Sequence, residues 1–134
     1  MNEHKSYVLI DSSVWIDFFK GNEKVAFVSG ILLAGLVCTN EVVLTELLPS
    51  MRVKKEENLI KLMRQVRKFD MEIDWPQLRN IQSINLQNGN NKVPLADIMI
   101  AQNCIQNDLK LLTTDKHFMK MAEYLPLQIF DGMR

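Results

Sequence analysis

The stretch YVLIDSSVWIDFF, residues 7 to 19, sets a pattern that the rest of the chain repeats. Its first part, from Tyr7 to Ile10, is an apolar run typical of a strand that is buried on both faces. Asp11 follows directly, with two small hydroxyl residues after it. Apolar side chains then recur at helical spacing, at Val14, Trp15, Phe18 and Phe19. The carboxylate between strand and helix is either a helix cap or part of a functional site.

Short apolar runs alternate with helix-length segments through the whole chain. The predicted strands are residues 7–10, 36–39, 69–73, 110–113 and 127–130. The predicted helices are residues 12–20, 23–34, 41–48, 53–68, 75–87, 95–106 and 115–123. Such alternation predicts an α/β fold, with a central parallel sheet of about four to five strands between two helix layers. The length of 134 residues predicts a single domain over residues 1–134.

The composition is that of an ordinary globular protein, with 47% apolar and 24% charged residues. No apolar run reaches the ~18 residues of a membrane span, and no signal-peptide pattern precedes Asp11, so we expect a cytoplasmic protein. Cys38 and Cys104 lie inside apolar segments and are predicted to be reduced core residues. They form no CxxC pair, so the sequence has no zinc ligand set.

The overall charge is balanced, with 16 basic and 16 acidic residues, and therefore argues neither for nor against a nucleic-acid partner. Residues 52–68 are locally basic, because only Glu56 and Glu57 oppose seven basic side chains. Those are Arg52, Lys54, Lys55, Lys61, Arg64, Arg67 and Lys68. The segment is either a solvated helix face or a surface that attracts phosphates.

Several carboxylates are predicted to meet at one edge of the sheet. Asp11 and Asp115 each follow a strand, and Asp97 lies in the first turn of the helix after Pro94. In a parallel α/β sheet, the carboxyl ends of strands and the amino ends of helices share that edge. Glu46 lies ~9 Å along its helix and reaches the edge only if that helix is tilted.

Carboxylates that are packed together repel one another unless a cation lies between them. Hard oxygen ligands favour Mg²⁺ or Mn²⁺, and such a site suits hydrolysis of a phosphodiester. Ser13 and Thr113 have hydroxyls placed to hold water or to orient a carboxylate. The structural alternatives are that the Asp residues are helix caps or helix-start acids and that Glu46 is a surface residue. Asp17 either joins this cluster or is solvated.

Four short motifs, taken together, resemble the PIN-domain ribonucleases, and among them the VapC toxins of bacterial toxin–antitoxin pairs. The similarity spans about residues 7 to 130. In chain order they read DSSVWID from Asp11, EL from Glu46, PLAD ending at Asp97, and LTTDKHF around Asp115.

The resemblance implies an α/β/α domain that cleaves RNA with Mg²⁺ or Mn²⁺, forms a homodimer and is silenced by an antitoxin protein. It implies that Asp11, Glu46, Asp97 and Asp115 are the catalytic metal ligands, supported by Ser13 and Thr113. For the dimer, the apolar segment 23–34 is the best candidate interface, although core packing also explains its composition.

The chain departs from many relatives at two positions of the fourth motif. They have a second acid where His117 stands, and often a basic residue where Thr114 stands. The His117 ring either hydrogen-bonds to water or phosphate or faces solvent, and its presence bears on the affinity for a second metal.

Other classes of function have weaker support. One alternative is a receiver-like signalling module, whose acids also surround Mg²⁺, but the third predicted strand carries no phosphoacceptor motif. Another is a PIN-like module that binds RNA or protein without cutting, against which the retained acids argue. A ribonuclease mechanism that needs two catalytic histidines has weak support. The sequence has only His4 and His117, and His4 lies in the polar N-terminal tail.

Overall fold

The computed structural model describes residues 6–132 and confirms the α/β fold. In this part of the chain the strands are β1 (Val8–Ile10), β2 (Val37–Thr39), β3 (Arg67–Lys68), β4 (Lys110–Leu112) and β5 (Gln128–Ile129). The helices are α1 (Ser12–Phe19), α2 (Val28–Leu33), α3 (Glu41–Val53), α4 (Glu57–Gln65), α5 (Trp75–Gln87), α6 (Leu95–Asn107) and α7 (Lys116–Met121). The prediction for α5 is confirmed at both ends. His4 lies outside the described residues.

All five strands are parallel, and their order across the sheet is β3-β2-β1-β4-β5. The chain first adds β2 and β3 on one side of β1, and then places β4 and β5 on the other side. In the register, Val8 faces Val37 of β2 and Lys110 of β4. The direction of winding therefore reverses between β1 and β4, and ligand sites of open parallel sheets form at the carboxyl side of such a reversal.

The central strands are covered by helices on both faces. Every residue of β1 is at most 2% exposed, and the side chains of Trp15 and Phe118 are fully buried. A strand that is buried on both sides reads as a continuous apolar run, which is why β1 could be recognised from sequence. Cys38 and Cys104 are free and buried, as predicted. None of the helices within residues 6–132 is both long and apolar enough to cross a bilayer.

The prediction of the third strand at residues 69–73 is wrong, because β3 is Arg67–Lys68. The backbone N–H of Phe69 still donates to the Thr39 carbonyl at 2.9 Å, and the chain then leaves the sheet. The carbonyls that follow are held by amide side chains of α6, from Gln102 to Asp74, Asn103 to Asp70 and Gln106 to Glu72. These hydrogen bonds satisfy the backbone of the segment outside a strand ladder.

Three predicted helix boundaries also change. The helix expected over residues 23–34 is divided into a 3₁₀ turn, Glu23–Val25, and α2. The helix expected over residues 41–48 continues through Pro49 to Val53, and its last turn buries Met51 to 5% exposure. The helix expected over residues 53–68 begins only at Glu57 and ends at Gln65, because Arg67 pairs with β2.

Candidate functional site

Asp11 lies at the point where the winding of the sheet reverses. Its backbone N–H donates to the carbonyl of Leu112 at the end of β4, at 3.0 Å, which joins the ends of two neighbouring strands. Its side chain also caps α1, because Oδ1 accepts the N–H of Ser12 at 2.8 Å. The residue is 7% exposed. Capping therefore uses one carboxylate oxygen and leaves Oδ2 directed toward the hydroxyls of other residues.

Thr113 connects the first acid of the site to the last. Its Oγ1 donates to Oδ2 of Asp11 at 2.9 Å and accepts the backbone N–H of Asp115 at 3.0 Å. The Ser13 hydroxyl reaches the same Oδ2 at 3.4 Å. Both hydroxyls that the sequence singled out therefore hydrogen-bond to Asp11. Because Thr113 is 1% exposed, its contacts hold the acid in one orientation.

Asp115 and His117 form the rim of the site. Asp115 caps α7, since its Oδ1 accepts the His117 backbone N–H at 2.8 Å. The Nδ1 atom of the His117 ring is 3.7 Å from that Oδ1 and 3.8 Å from Oδ2 of Asp97. One ligand atom from each of these three side chains lies within 4.8 Å of the others, which is close enough for them to share one metal ion. The side chains of Asp115 and His117 are 39% and 36% exposed, so a large substrate can reach this rim.

Asp97 is the third residue of α6 and does not cap that helix. The N-cap position is Pro94, and no side-chain cap hydrogen bond is present there. The Asp97 side chain is 14% exposed, so its carboxyl group is largely removed from water. The alternative that Asp97 serves as a helix cap is therefore wrong. An electrostatic contact with the helix dipole remains, and it favours the charged form of the side chain.

Glu46 is exposed on α3, as Glu41 is, although its carboxyl group is partly shielded from water. Burial of the carboxyl group among its neighbours raises its pKa, the charge of Asp11 raises it further, and a hydrogen bond from the Ser12 side chain opposes the rise. The hydrogen bond from Ser12, at the start of α1, means that the Glu46 carboxyl group lies near the residue that follows Asp11.

The charges of the four acids act on one another. The pKa of Asp97 is raised to about 6, first by burial and then by the charges of Asp115, Asp11 and Glu46, while His117 opposes the rise. Burial also raises the pKa of Asp11, although its hydrogen bonds from Thr113 and Ser12 favour the charged form. The fold therefore brings four carboxyl groups close enough to repel one another, with no Lys or Arg among the groups that shift these pKa values.

This set of donor atoms fits a divalent cation. A positive ion would lower the pKa values that burial and repulsion raise, and carboxylate oxygens suit Mg²⁺ or Mn²⁺. By contrast, Asp17 is half-buried one turn further along α1 and is not among the charges that raise the pKa of Asp97. Of the basic segment 52–68, Lys54 lines a groove that also includes Glu46, and the other basic side chains are exposed.

A buried polar network of Asn85, Asn90 and Tyr124 lies behind the rim and was not predicted from the sequence. The side-chain amide of Asn90 donates to the carbonyl of His117 at 3.1 Å and to the Tyr124 hydroxyl at 2.9 Å. The Tyr124 hydroxyl in turn donates to Asn85 Oδ1. Asn90 is 4% exposed, although it stands in the polar stretch 87–92 that reads as an ordinary loop. Nothing in the local sequence distinguishes this asparagine from its exposed neighbours.

Comparison with known proteins finds a matching protein family and solved structures with a similar fold. The sequence matches the family model described as PIN domain over residues 8–124. No curated protein sequence matches the chain significantly.

Solved structures with a similar fold include FitAcB from Neisseria gonorrhoeae, with a TM-score of 0.71 and 21% identity over 92% of this chain and 96% of that chain. VapBC2 from Rickettsia felis, bound to a DNA fragment from its promoter, has a TM-score of 0.67 and 16% identity over 92% and 97%. A toxin–antitoxin complex from Klebsiella pneumoniae has a TM-score of 0.64 and 16% identity over 91% and 99%. At these identities the likeness is one of fold.

The family match covers most of the chain, from the first strand to the turn after α7, and includes the segments that carry all four acids. The fold of the matched region is the three-layer α/β/α arrangement expected for that family. The chain therefore belongs to the PIN domain family.

Proposed function

We propose that this protein is a metal-dependent endoribonuclease and the toxin of a toxin–antitoxin pair. The observation that carries the proposal is the meeting of Asp97, Asp115 and His117 within 4.8 Å, next to the further acids Asp11 and Glu46. Burial together with the charges of the other three acids raises the pKa of Asp97 to about 6. A protein gains no stability from such repulsion, so the arrangement is best explained by an ion that the acids bind. Membership of the PIN family supports a nuclease and removes the receiver-like alternative.

In this proposal, Asp97 and Asp115 bind Mg²⁺ or Mn²⁺ together with Asp11 and Glu46. An ion held by these residues would activate water as the nucleophile and offset charge that develops on the phosphate. Thr113 and Ser13 hold Asp11 in its orientation through their hydroxyls. The exposed rim at Asp115 gives a phosphodiester access to the site.

An antitoxin protein is the proposed partner, and RNA is the proposed substrate. The fold is shared with proteins whose structures are described as toxin–antitoxin complexes, which supports the partner. Lys20 and Lys54, in the groove beside Glu46, offer contacts to phosphates. We further propose that residues 1–134 form one domain, because β1 near one end of the chain lies beside β4, which in turn pairs with β5.

The first test is cleavage of RNA by the purified chain. We expect cleavage of a mixture of transfer, ribosomal and messenger RNA with Mg²⁺ or Mn²⁺ and none in excess EDTA, with activity restored when the ion is added back. The physical reason is that the described site has carboxylates and no pair of histidines for a metal-free route. Gel electrophoresis of the RNA measures the result.

An Asp97→Asn preparation purified in parallel is the control for contaminating nucleases. Cleavage that continues undiminished in EDTA would remove the metal mechanism. Tight RNA binding with intact RNA, in the presence of either ion, would favour the PIN-like module that binds without cutting.

We also propose a homodimer, for which the family resemblance is the support. Within the segment 23–34, Val25 and Val28 are at most 2% exposed and belong to the core, whereas Leu33 is 90% exposed. Light scattering at micromolar concentration should give about twice 15.5 kDa. We expect Leu33→Glu to shift the protein toward a monomer, because it places a charge in the interface.

The matched control is Val53→Glu, at a side chain that is 82% exposed at the end of α3. This variant should keep the mass of the wild type. A wild-type monomer in the absence of antitoxin contradicts the dimer. A Leu33→Glu dimer contradicts the placement of its interface at α2.

A further inference from the structure

We propose that His117 is itself a ligand of the metal through Nδ1, beside Asp97 and Asp115, and that this nitrogen makes the site prefer Mn²⁺ to Mg²⁺. The inference rests on the proposed metal site. It goes beyond that site because His117 stands where the resemblance implies a further acid. An imidazole at this position changes the charge and the chemistry of the ligand set.

The distances around the ring fit a shared ion better than a direct hydrogen bond. Nδ1 is 3.7 Å from Asp115 Oδ1 and 3.8 Å from Asp97 Oδ2. Hydrogen bonds of N–H to oxygen are shorter, at about 2.7–3.2 Å. Two ligands that bind one ion with bonds of ~2.1 Å are about 3.0 Å apart at right angles and about 4.2 Å apart on opposite sides. The observed separations lie between these two values.

The main chain of His117 is held on both sides. Its N–H donates to Asp115 Oδ1, and its carbonyl accepts the side-chain amide of Asn90. Asn90 is buried and is also bonded to Tyr124, so this anchor does not exchange freely with water. A solvent-facing histidine would need no such support. The network behind the rim therefore fixes the backbone from which the ring projects toward Asp97, which lies on a different helix.

The choice of ion follows from the donor atom. Mg²⁺ strongly favours oxygen ligands, while later divalent ions accept imidazole nitrogen more readily, and Mn²⁺ binds both. Replacing a carboxylate by a neutral imidazole also removes one negative charge from the cluster. The lost charge weakens both ions, and the nitrogen donor weakens Mg²⁺ more than Mn²⁺. We expect the wild type to favour Mn²⁺ over Mg²⁺ roughly tenfold more than His117→Asp does.

The experiment detects the nitrogen directly and does not depend on cleavage. Mn²⁺ is titrated into the full chain and followed by electron paramagnetic resonance, and pulsed measurements then detect coupling between the ion and ¹⁴N. The wild type should show the coupling of a bound imidazole, and His117→Asp should lose it. Competition with Mg²⁺ gives the preference of each protein. His4→Gln, which removes the only other histidine, is the matched control and should keep the coupling.

The outcomes separate this inference from the proposed function. If Mn²⁺ binds the wild type without ¹⁴N coupling, and Asp97→Asn weakens that binding, His117 is not a ligand and the carboxylate site remains. Coupling that is lost in His4→Gln but kept in His117→Asp also overturns the inference. If Mn²⁺ does not bind the wild type, both the inference and the metal-dependent function fail.

Discussion

Asp97→Asn is expected to stabilise the metal-free protein and at the same time to abolish most RNA cleavage. At pH 7 the pKa of about 6 means that folding forces a charge into a buried, negatively charged setting. A shift of about two pKa units corresponds to roughly 3 kcal/mol, of which asparagine should recover about 1–3 kcal/mol in the free energy of unfolding. Cleavage should fall at least ~100-fold, because the proposed metal loses a ligand.

The sign of the stability change depends on pH in a way that identifies its cause. The pKa of Asp97 is raised from 3.8 to about 6, so its contribution to stability is fully present below the lower value and is lost as pH rises through the higher one. Wild type and variant should therefore unfold alike near pH 4 in EDTA, and the variant should be more stable at pH 7. Urea unfolding at both pH values measures this difference.

Asp70→Asn is the matched control, because it removes an exposed carboxylate that does not shift the pKa of Asp97. Its stability should stay within about 0.5 kcal/mol of the wild type at both pH values. A role for Asp97 in the helix dipole predicts the opposite sign, a loss of ~0.3–1 kcal/mol with near-normal cleavage. An Asp97→Asn variant that is less stable in EDTA and still cuts RNA at the wild-type rate would refute the ligand assignment.

Thr113→Val is expected to destabilise the protein strongly, although it changes only one atom of a small side chain. Its hydroxyl serves two partners, Oδ2 of Asp11 and the N–H of Asp115. Valine leaves a buried carboxylate with one donor fewer and an N–H without its acceptor. Together these losses should cost about 2–4 kcal/mol, which lowers the melting temperature by roughly 3–5 °C per kcal/mol.

Thr113→Ser separates the hydrogen bonds from the packing at this position. Serine keeps the hydroxyl and removes a buried methyl group, for an expected loss of about 1 kcal/mol. Thermal melts in EDTA compare the three proteins, and titration with Mn²⁺ should show weaker binding only for Thr113→Val, in which Asp11 is no longer held. Equal melting temperatures for the two variants would mean that the hydroxyl contributes little and that Thr113 acts by packing alone.

Local sequence determined the positions of Asp11, Thr113 and Asp115. Each stands at the end of a short apolar run, and parallel strands bring their carboxyl ends to one edge wherever they lie in the sheet. Helix starts were equally local, since Asp11, Asn40, Asp74 and Asp115 all cap helices with their own side chains. Such signals depend on residues a few positions apart and so can be read from the chain.

The position of the third strand was decided by the tertiary structure. Residues 69–73 have the pattern of a strand, but side-chain amide groups of α6 bind the carbonyls of Asp70, Glu72 and Asp74 instead. The actual strand, Arg67–Lys68, is charged because it lies at the edge of the sheet and is exposed. The donors are side-chain amides of α6, which are distant in sequence, so no local pattern in residues 69–73 reveals them.

The same distinction applies inside the candidate site. The sequence determined which acids reach the edge of the sheet, whereas only the packing of α6 against the start of α7 placed Asp97 opposite His117. The hydrogen bond from Asn90 to the His117 carbonyl joins residues 27 positions apart in the chain. The hydrogen bond from Thr113 to Asp11 joins residues 102 positions apart. Contacts of this length depend on how helices and strands dock, and docking is set by the whole core at once. Residue type and spacing therefore predicted that Asp11, Asp97 and Asp115 share one edge of the sheet, while their geometry required the fold.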